Sequence, residues 1–207
     1  MQTAKLLMRL LIFMRRYNNS FIAGIDEVGR GCIAGPVVAA SVILNLNCIP
    51  DGLKDSKKIS EKNRIKLSNK IKKTALAWSI AYCDASEIDA INILEATMLA
   101  MRRSILASNI FPSFVLVDGN RLPNLIFNNI IIEGDAIVRG DEKTPQISAA
   151  SIIAKVYRDK MMANFDKIYD GYLFSEHKGY GTKKHIDIIS SLGPSPQHRL
   201  TFKPFSI

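Results

Sequence analysis

The stretch FIAGIDEVGRGCIAGPVVAASVIL, residues 21–44, decides the fold of this chain. Its two apolar halves, 21–27 and 36–44, are rich in β-branched residues and predict two strands. The adjacent acids Asp26 and Glu27 and a Gly-Arg-Gly sequence lie between them. Carboxylates are costly to bury unless they are solvated, paired or bound to a cation. The stretch therefore predicts a functional site at the edge of a sheet.

The rest of the chain alternates between strand and helix patterns. Residues 75–81 and 114–118 predict further strands, and the second ends in Asp118 followed by Gly-Asn. A short, continuously apolar run is typical of a buried strand with parallel neighbours, whose carboxyl end can carry function. Residues 130–132 and 136–138 are candidates for the next extended segment. Predicted helices cover residues 60–73, with Ser60 as N-cap, 86–89, 93–108, 149–165 and 183–191.

This order of elements predicts an α/β fold in which a mixed sheet is flanked by helices. At 207 residues the chain is long enough to form one domain with a good core. We expect a leading helix over about residues 1–20 and a small helical part over about residues 165–207. The apolar segment 6–14 is interrupted by Arg9 and is too short to span a bilayer, which favours an amphipathic helix over a signal peptide.

Charge and cysteine content narrow the class of partner. The chain has 28 Lys and Arg against 19 Asp and Glu, a formal net charge of +9, and such a basic surface favours polyanions such as nucleic acid. The cysteines Cys32, Cys48 and Cys83 form no CxxC pair, which argues against a disulfide framework and a zinc ribbon. We expect a cytoplasmic protein without a membrane partner.

Four acids lie where apolar runs end: Asp26, Glu27, Asp118 and Asp141. Clustered carboxylates without His or Cys select hard cations such as Mg²⁺ or Mn²⁺. Two such ions about 4 Å apart can activate a water and stabilise the leaving oxygen in phosphodiester hydrolysis. Adjacent residues of a regular strand point to opposite faces. We therefore expect Asp26 to be the central ligand and Glu27 the more peripheral one.

Glycines and basic residues around these acids suggest contacts to a nucleic acid. The Gly29-Arg30-Gly31 segment allows the backbone to approach a ligand closely, which would suit a sugar 2′-OH, and an ordinary tight turn is equally compatible. Tyr180 lies between glycines in HKGYG and is either a stacking platform or a plain surface aromatic. Candidate phosphate contacts, each also compatible with a solvated charge, are Lys54, Lys57, Lys58, Lys155 and Arg158.

Seven motifs together resemble bacterial ribonuclease HII, and they occur in that family's order: GIDEVGRG, LKDSKK, NILEATMLAM, VLVDGN, AIVRGD, ISAASIIAKVYRD and HKGYGT. The resemblance runs from about Phe21 to the HRLTFKPF tail. It implies a ribonuclease-H-like fold and a Mg²⁺- or Mn²⁺-dependent endonuclease that acts on the RNA strand of RNA–DNA hybrids. It also implies cleavage on the 5′ side of ribonucleotides embedded in duplex DNA, which leaves 3′-hydroxyl and 5′-phosphate ends. A monomer is the expected state.

The resemblance further implies roles for individual residues. Asp26, Glu27 and Asp118 match the family's acids. The Gly-Arg-Gly segment matches the part that senses the ribose 2′-OH, and Tyr180 matches a tyrosine that packs on the following deoxyribose. The expected substrate-binding set is Gly29, Arg30, Gly31, Lys57, Lys58, Lys155 and Tyr180.

Two Gly-Asp pairs compete for the fourth acid, one at Asp135 and one at Asp141. Counting back from the ISAAS motif, with AIV before it, favours Asp141 and assigns Asp135 to an insertion.

Two other functions stay open. A non-catalytic hybrid-binding module is disfavoured by the complete set of acids, and a polynucleotidyl transferase on the same fold is disfavoured by the GRG and HKGYG segments.

Overall fold

A five-stranded sheet forms the centre of the protein. The computed structural model describes residues 21–53 and 59–205. Within these ranges the strands are β1 Ile22–Val28, β2 Val37–Ile43, β3 Ala77–Cys83, β4 Phe114–Asp118, β5 Ile126–Phe127, β6 Ile130–Ile131 and β7 Glu133–Ile137. The central sheet has the order β3-β2-β1-β4-β7, and β5 and β6 form a separate hairpin.

The direction of the strands brings three carboxyl ends to one edge of the sheet. β1 runs antiparallel to β2, and β2 runs antiparallel to β3. β4 is parallel to both β1 and β7. The predicted mixed sheet is therefore confirmed, and β4 has the parallel neighbours that its continuous apolar run indicated. Consequently, the carboxyl ends of β1, β4 and β7 lie at the same edge.

The helices follow the predicted order with shifted boundaries. The predicted N-cap is confirmed, because the Ser60 hydroxyl accepts the backbone N–H of Asn63. The two helices predicted around residue 90 form one element that Asn92 interrupts with a φ of 65°. The helix expected from residue 149 begins earlier, at Pro145, where the missing N–H of proline costs no helical hydrogen bond. The helices are α1 Glu61–Thr74, α2 Ala85–Leu106, α3 Gly140–Lys143, α4 Pro145–Ile168, α5 Phe174–His177 and α6 Lys183–Leu192.

Helices cover both faces of the sheet. Alternate residues of β2 divide between two apolar clusters, because side chains of a strand alternate in direction. Ala39 packs in a cluster with α2, whereas Ala40 packs in a cluster with α4 and α1. No helix within the described ranges is long and apolar enough to cross a membrane. The predicted leading helix and the lysine-rich segment 54–58 lie outside the described residues.

Gly24 determines how closely α4 approaches β1. A Cβ atom at this position would overlap the backbone of Gln146 and Ile147, in the first turn of α4. The helix therefore lies directly on the strand. This contact brings Ser151, farther along α4, within hydrogen-bonding reach of Asp26 near the end of β1.

Replacing Gly24 with Ala should lower the free energy of unfolding by about 1–3 kcal/mol, because the new methyl group must displace the start of α4. Equilibrium unfolding in urea measures this change. Gly181→Ala is the matched control, since a Cβ at Gly181 would meet only Ile33 side-chain atoms at ordinary contact distances. Equal stability of the Gly24→Ala variant and the wild type would contradict the close packing of α4 on β1.

Candidate active site

A cavity of about 390 Å³ opens at the carboxyl ends of β1 and β4. All four acids selected from the sequence line it, although they come from distant parts of the chain. The other polar side chains of its wall come from α1, α4 and the segment before α6. The acids are Asp26, Glu27, Asp118 and Asp141, and the other polar residues are Arg64, Ser151, Lys155 and Tyr180.

The cavity begins where the parallel pairing of β1 and β4 stops. The last paired residues are Ile25 and Val117. The next residues are Asp26, which continues to pair with β2, and Asp118, which continues to pair with β7. Two carboxylates therefore line the gap between strands that no longer bond to each other.

Asp26 and Glu27 both line the cavity, although they are neighbours on one strand. Asp26 is 5% exposed, and its Oδ1 accepts the backbone N–H of Glu27 at 2.7 Å. Glu27 Oε1 lies 3.2 Å from the guanidinium of Arg30, while its Oε2 is buried without a hydrogen-bond partner among the described residues. Asp26 is therefore the more deeply buried of the two, and both face the same cavity although strand residues alternate in direction. Their roles as central and peripheral ligands stay a prediction.

The start of α3 joins the two remaining acids. Gly140 donates its backbone N–H to Asp118 Oδ1 at 2.6 Å, and the next residue, Asp141, is 4% exposed. Asp135 instead lies within β7, opposite Leu116, and is outside the cavity lining in the part of the chain described. The geometry thus groups Asp141, rather than Asp135, with the other three acids.

Burial and mutual repulsion disfavour negative charge in this cavity. Burial raises the pKa of Asp26 well above its usual range, and the charges of Glu27 and Asp118 raise it further. Hydrogen bonds from Ser151 and from the Glu27 backbone partly oppose this increase. Burial also raises the pKa of Glu27, against the effect of the Arg30 guanidinium. A bound cation would relieve this repulsion.

The donor set of the cavity suits a divalent cation bound through oxygen. Four carboxylates supply hard ligands, and the buried Glu27 Oε2 has no hydrogen bond to give up among the described residues. In residues 21–53 and 59–205, no three His, Cys, Asp or Glu side chains already converge as a metal-ligand group. One oxygen of Asp26 and one of Asp118 instead accept backbone N–H groups.

Two basic side chains on the cavity wall share one acid. Lys155 Nζ lies 2.8 Å from Asp159 Oδ1, and the Arg64 guanidinium lies 4.0 Å from Asp159 Oδ2. The prediction that Arg158 contacts phosphate is wrong, because its side chain is fully buried and donates to backbone carbonyl groups. The expected contacts Lys54, Lys57 and Lys58 lie outside the described residues.

The Gly-Arg-Gly segment forms a turn directly after β1. Gly29 has a φ of +97°, in the left-handed region that favours glycine, and a Cβ there would overlap the Arg158 side chain. Around Gly31, by contrast, a Cβ would meet nothing within 4 Å in the described structure. The backbone at Gly31 is therefore open to approach, and its contact with a sugar stays a prediction.

Tyr180 stands at the rim of the cavity and is 43% exposed. Burial of its hydroxyl end and the nearby Cys32 thiol raise its pKa. The preceding residue, Gly179, accepts the backbone N–H of Ile33 at 2.9 Å. The segment that carries Tyr180 is thereby bonded to the segment that follows Gly31.

Three buried histidines hold the Tyr180 segment from the inside. His198 Nδ1 accepts a backbone N–H at 2.8 Å, so that its Nε2–H donates to His185 Nε2 at 3.0 Å. His185 Nδ1–H then donates to the Tyr180 carbonyl at 2.9 Å. His177 Nδ1 accepts the Gly179 N–H at 3.1 Å. Burial lowers the pKa of each histidine, to about 4 for His185, so that the neutral tautomers support the loop.

The sequence interpretation missed several of these residues. Ser151 could have been found, because it precedes Lys155 by four residues and therefore shares its helix face. The histidines gave no signal, since each is isolated in the sequence and their partners are brought near only by the fold. Arg64 carried no pattern that separated it from other basic residues of α1.

A model of the Ribonuclease HII family matches residues 23–205. The chain belongs to the ribonuclease HII family. It is a metal-dependent endoribonuclease, of a family whose enzymes act on RNA–DNA hybrids. The sequence resemblance is thus confirmed at the level of the ribonuclease HII family.

Solved ribonuclease HII structures share this fold. The ribonuclease H2 of Pyrococcus horikoshii OT3 is 25% identical with a TM-score of 0.72, over 89% of this chain and 94% of that chain. The ribonuclease HII of Archaeoglobus fulgidus, solved in a complex with PCNA, is 27% identical with a TM-score of 0.73, over 88% and 95%. Bst-RNase HIII, solved with Mn²⁺, is similar in fold at 18% identity, with a TM-score of 0.66 over 90% and 68%. The ribonuclease-H-like fold is therefore confirmed.

Replacing Asp26 with Asn should raise the free energy of unfolding at pH 8 by about 1 kcal/mol and Tm by roughly 2–4 °C. The pKa of Asp26 is higher in the folded than in the unfolded protein, so the wild type loses stability as the pH rises through the folded pKa. The gain should vanish below about pH 4, where the carboxyl is protonated in both states. Thermal unfolding at a series of pH values measures it, with Asp187→Asn on the exposed face of α6 as control. An Asp26→Asn variant less stable than the wild type at pH 8 would contradict the conclusion that burial and charge repulsion at Asp26 destabilise the folded protein.

Replacing His185 with Asn should make stability less dependent on pH between about pH 7 and pH 4. Unfolded histidine, with a pKa of about 6.5, takes up protons more readily than buried His185, whose pKa is about 4. The contribution of His185 is therefore present above pH 6.5 and is lost as the pH falls towards 4. Urea unfolding at several pH values compares the variant with the wild type. Parallel curves would show that His185 carries no such contribution.

Proposed function

We propose that this member of the ribonuclease HII family hydrolyses the RNA strand of RNA–DNA hybrids and cuts on the 5′ side of ribonucleotides embedded in duplex DNA. Cleavage would leave a 3′-hydroxyl and a 5′-phosphate. The supporting observation is that Asp26, Glu27, Asp118 and Asp141 line one cavity whose rim carries Tyr180. Acids suited to hydrolysis and an aromatic ring suited to a sugar thus face the same space.

The four carboxylates would hold the divalent cation, Mn²⁺ or Mg²⁺. When bound, it would supply activation of the attacking water and stabilisation of the leaving oxygen. The buried Glu27 Oε2 and the repulsion around Asp26 support this assignment, because cation binding would relieve both. Ser151 would keep its hydrogen bond to Asp26 and so orient that carboxylate.

The remaining residues of the site would bind and orient the nucleic acid. Lys155 and Arg64, restrained by Asp159, would attract the phosphates. The open backbone at Gly31 would approach the ribose 2′-OH, with Gly29 and Arg30 forming the rest of that turn. Tyr180 would pack on the following sugar. The excess of basic residues, a net charge of +9, supports a polyanionic substrate. We propose that Lys57 and Lys58 add phosphate contacts.

We also propose that the protein acts in the cytoplasm as a monomer with one catalytic domain.

Cleavage of a duplex with a single embedded ribonucleotide tests this function. With Mn²⁺ or Mg²⁺, an end-labelled duplex should be cut once, on the 5′ side of the ribonucleotide, and EDTA should stop the reaction. Asp118→Asn should lower kcat/KM on the order of a thousandfold, since a ligand worth several kcal/mol is lost. Gel electrophoresis against a sequence ladder locates the cut, and extension by a DNA polymerase identifies the 3′-hydroxyl.

Asp187→Asn, on the exposed surface of α6, is the charge-matched control and should cut at the wild-type rate. Binding of the duplex without metal-dependent cleavage would instead favour a non-catalytic hybrid-binding module. Cleavage that survives EDTA, or that is unchanged in Asp118→Asn, would overturn the metal-dependent site proposed here.

A further inference from the structure

Two buried arginines hold the backbone next to the cavity. Arg158, in α4, and Arg199, near the carboxyl end of the described chain, are both 0% exposed. Burial of a guanidinium group is unfavourable unless its N–H groups find acceptors. Both side chains direct their N–H groups to backbone carbonyl oxygens.

Arg199 bonds to the turn that contains the Gly-Arg-Gly sequence. Residues 29–35 are called the ribose loop here, after their proposed contact. The Arg199 guanidinium donates to the carbonyl oxygens of Gly29 at 2.7 Å, Arg30 at 3.0 Å and Gly35 at 2.8 Å. One side chain therefore fixes both ends of the ribose loop.

Arg158 connects this loop to the segment that carries Tyr180. Residues 178–181 are called the tyrosine loop. Arg158 donates to the carbonyl oxygens of Ala34 at 3.0 Å and Pro36 at 2.9 Å, at the end of the ribose loop. It also donates to the carbonyl oxygen of Lys178 at 2.8 Å, in the tyrosine loop. The same guanidinium thus spans both loops.

The two loops also contact each other directly. The backbone N–H groups of Ile33 and Ala34 donate to the Gly179 carbonyl oxygen, at 2.9 and 3.2 Å. Gly179 has a φ of +83°, and a Cβ there would overlap the Ala34 carbonyl. The contact therefore leaves no room for a side chain between the loops, and a shift of one loop displaces the other.

We propose that Arg158 and Arg199 are positioning residues for recognition of the RNA–DNA junction, because they hold the ribose loop and the tyrosine loop as one rigid unit. This inference rests on the proposed function. Neither side chain touches the substrate. Each acts by fixing the distance between the backbone that faces the ribose 2′-OH and the ring that faces the next sugar. Preference for a ribonucleotide followed by a deoxyribonucleotide depends on that distance.

Lysine substitution separates charge from geometry. Arg158→Lys and Arg199→Lys keep a positive charge but lose the planar fork that reaches three carbonyl groups at once. We expect the ratio of kcat/KM for a single embedded ribonucleotide to kcat/KM for a continuous RNA–DNA hybrid to fall roughly tenfold in each variant. The dependence on Mn²⁺ and the inhibition by EDTA should be unchanged, since the acids are untouched.

Arg102→Lys is the matched control. Arg102 also donates to backbone carbonyl groups, those of Asn124 and Ile126, but these lie at the β5–β6 hairpin. Its substitution should leave the ratio at the wild-type value. A wild-type ratio in folded, active Arg158→Lys and Arg199→Lys variants would overturn the positioning role. A wild type that cuts neither duplex would instead overturn the proposed function itself.

Hydrogen exchange of the wild type tests whether the ribose loop and the tyrosine loop form one rigid unit. Because it needs no variant, this test also applies if the lysine variants do not fold. The amides of Ile33 and Ala34 donate to Gly179 in the tyrosine loop, and the amide of Tyr180 donates to the His177 carbonyl just before that loop. They should open together, with one common free energy, as members of one cooperative unit do. Free energies of opening that differ between the two loops would show that they move independently and would refute the proposal.

Discussion

Repulsion among buried carboxylates is the constraint on which this site depends. Asp26 and Asp118 lie side by side because β1 and β4 are parallel. The pairing of these strands ends at Ile25 and Val117, one residue before each acid. Glu27 and Asp141 add further negative charge to the same cavity. Such a group of acids stores unfavourable free energy in the folded protein, which a core built only for stability would avoid. A bound divalent cation is the species that such a site can stabilise.

The scaffold tolerates this repulsion because the rest of the sheet is closely packed. Gly24 allows the first turn of α4 to lie on β1, and the same helix then supplies Ser151 and Lys155 to the cavity. Farther along, Arg158 of α4 bonds to the backbone of both neighbouring loops. One helix therefore links the acids to the loops, and a single packing contact at its start affects both parts of the site.

Features defined by interactions between residues close in sequence could be predicted from the sequence, and features defined by contacts between distant residues could not. The strands β1, β2 and β4 and the N-cap of α1 were predictable, because local apolar patterns and a local hydrogen bond define them. The acids were identifiable, since a carboxylate that ends a buried run conflicts with burial. Arg158 was misinterpreted, because helical spacing from Lys155 suggested a shared surface whereas the loop after β1 covers that part of α4.

The sequence by itself determined the family of this protein and the mixed sheet and identified Asp26, Glu27 and Asp118 as candidate acids, because these reside in ordered motifs and in short-range patterns of burial. Only the tertiary structure decided that Asp141 rather than Asp135 joins the other acids, and that the ribose and tyrosine loops are bonded to each other. It also decided that three isolated histidines form one hydrogen-bonded group. The physical reason is that such contacts join residues remote in the chain, and their partners exist only once the strands and helices have packed.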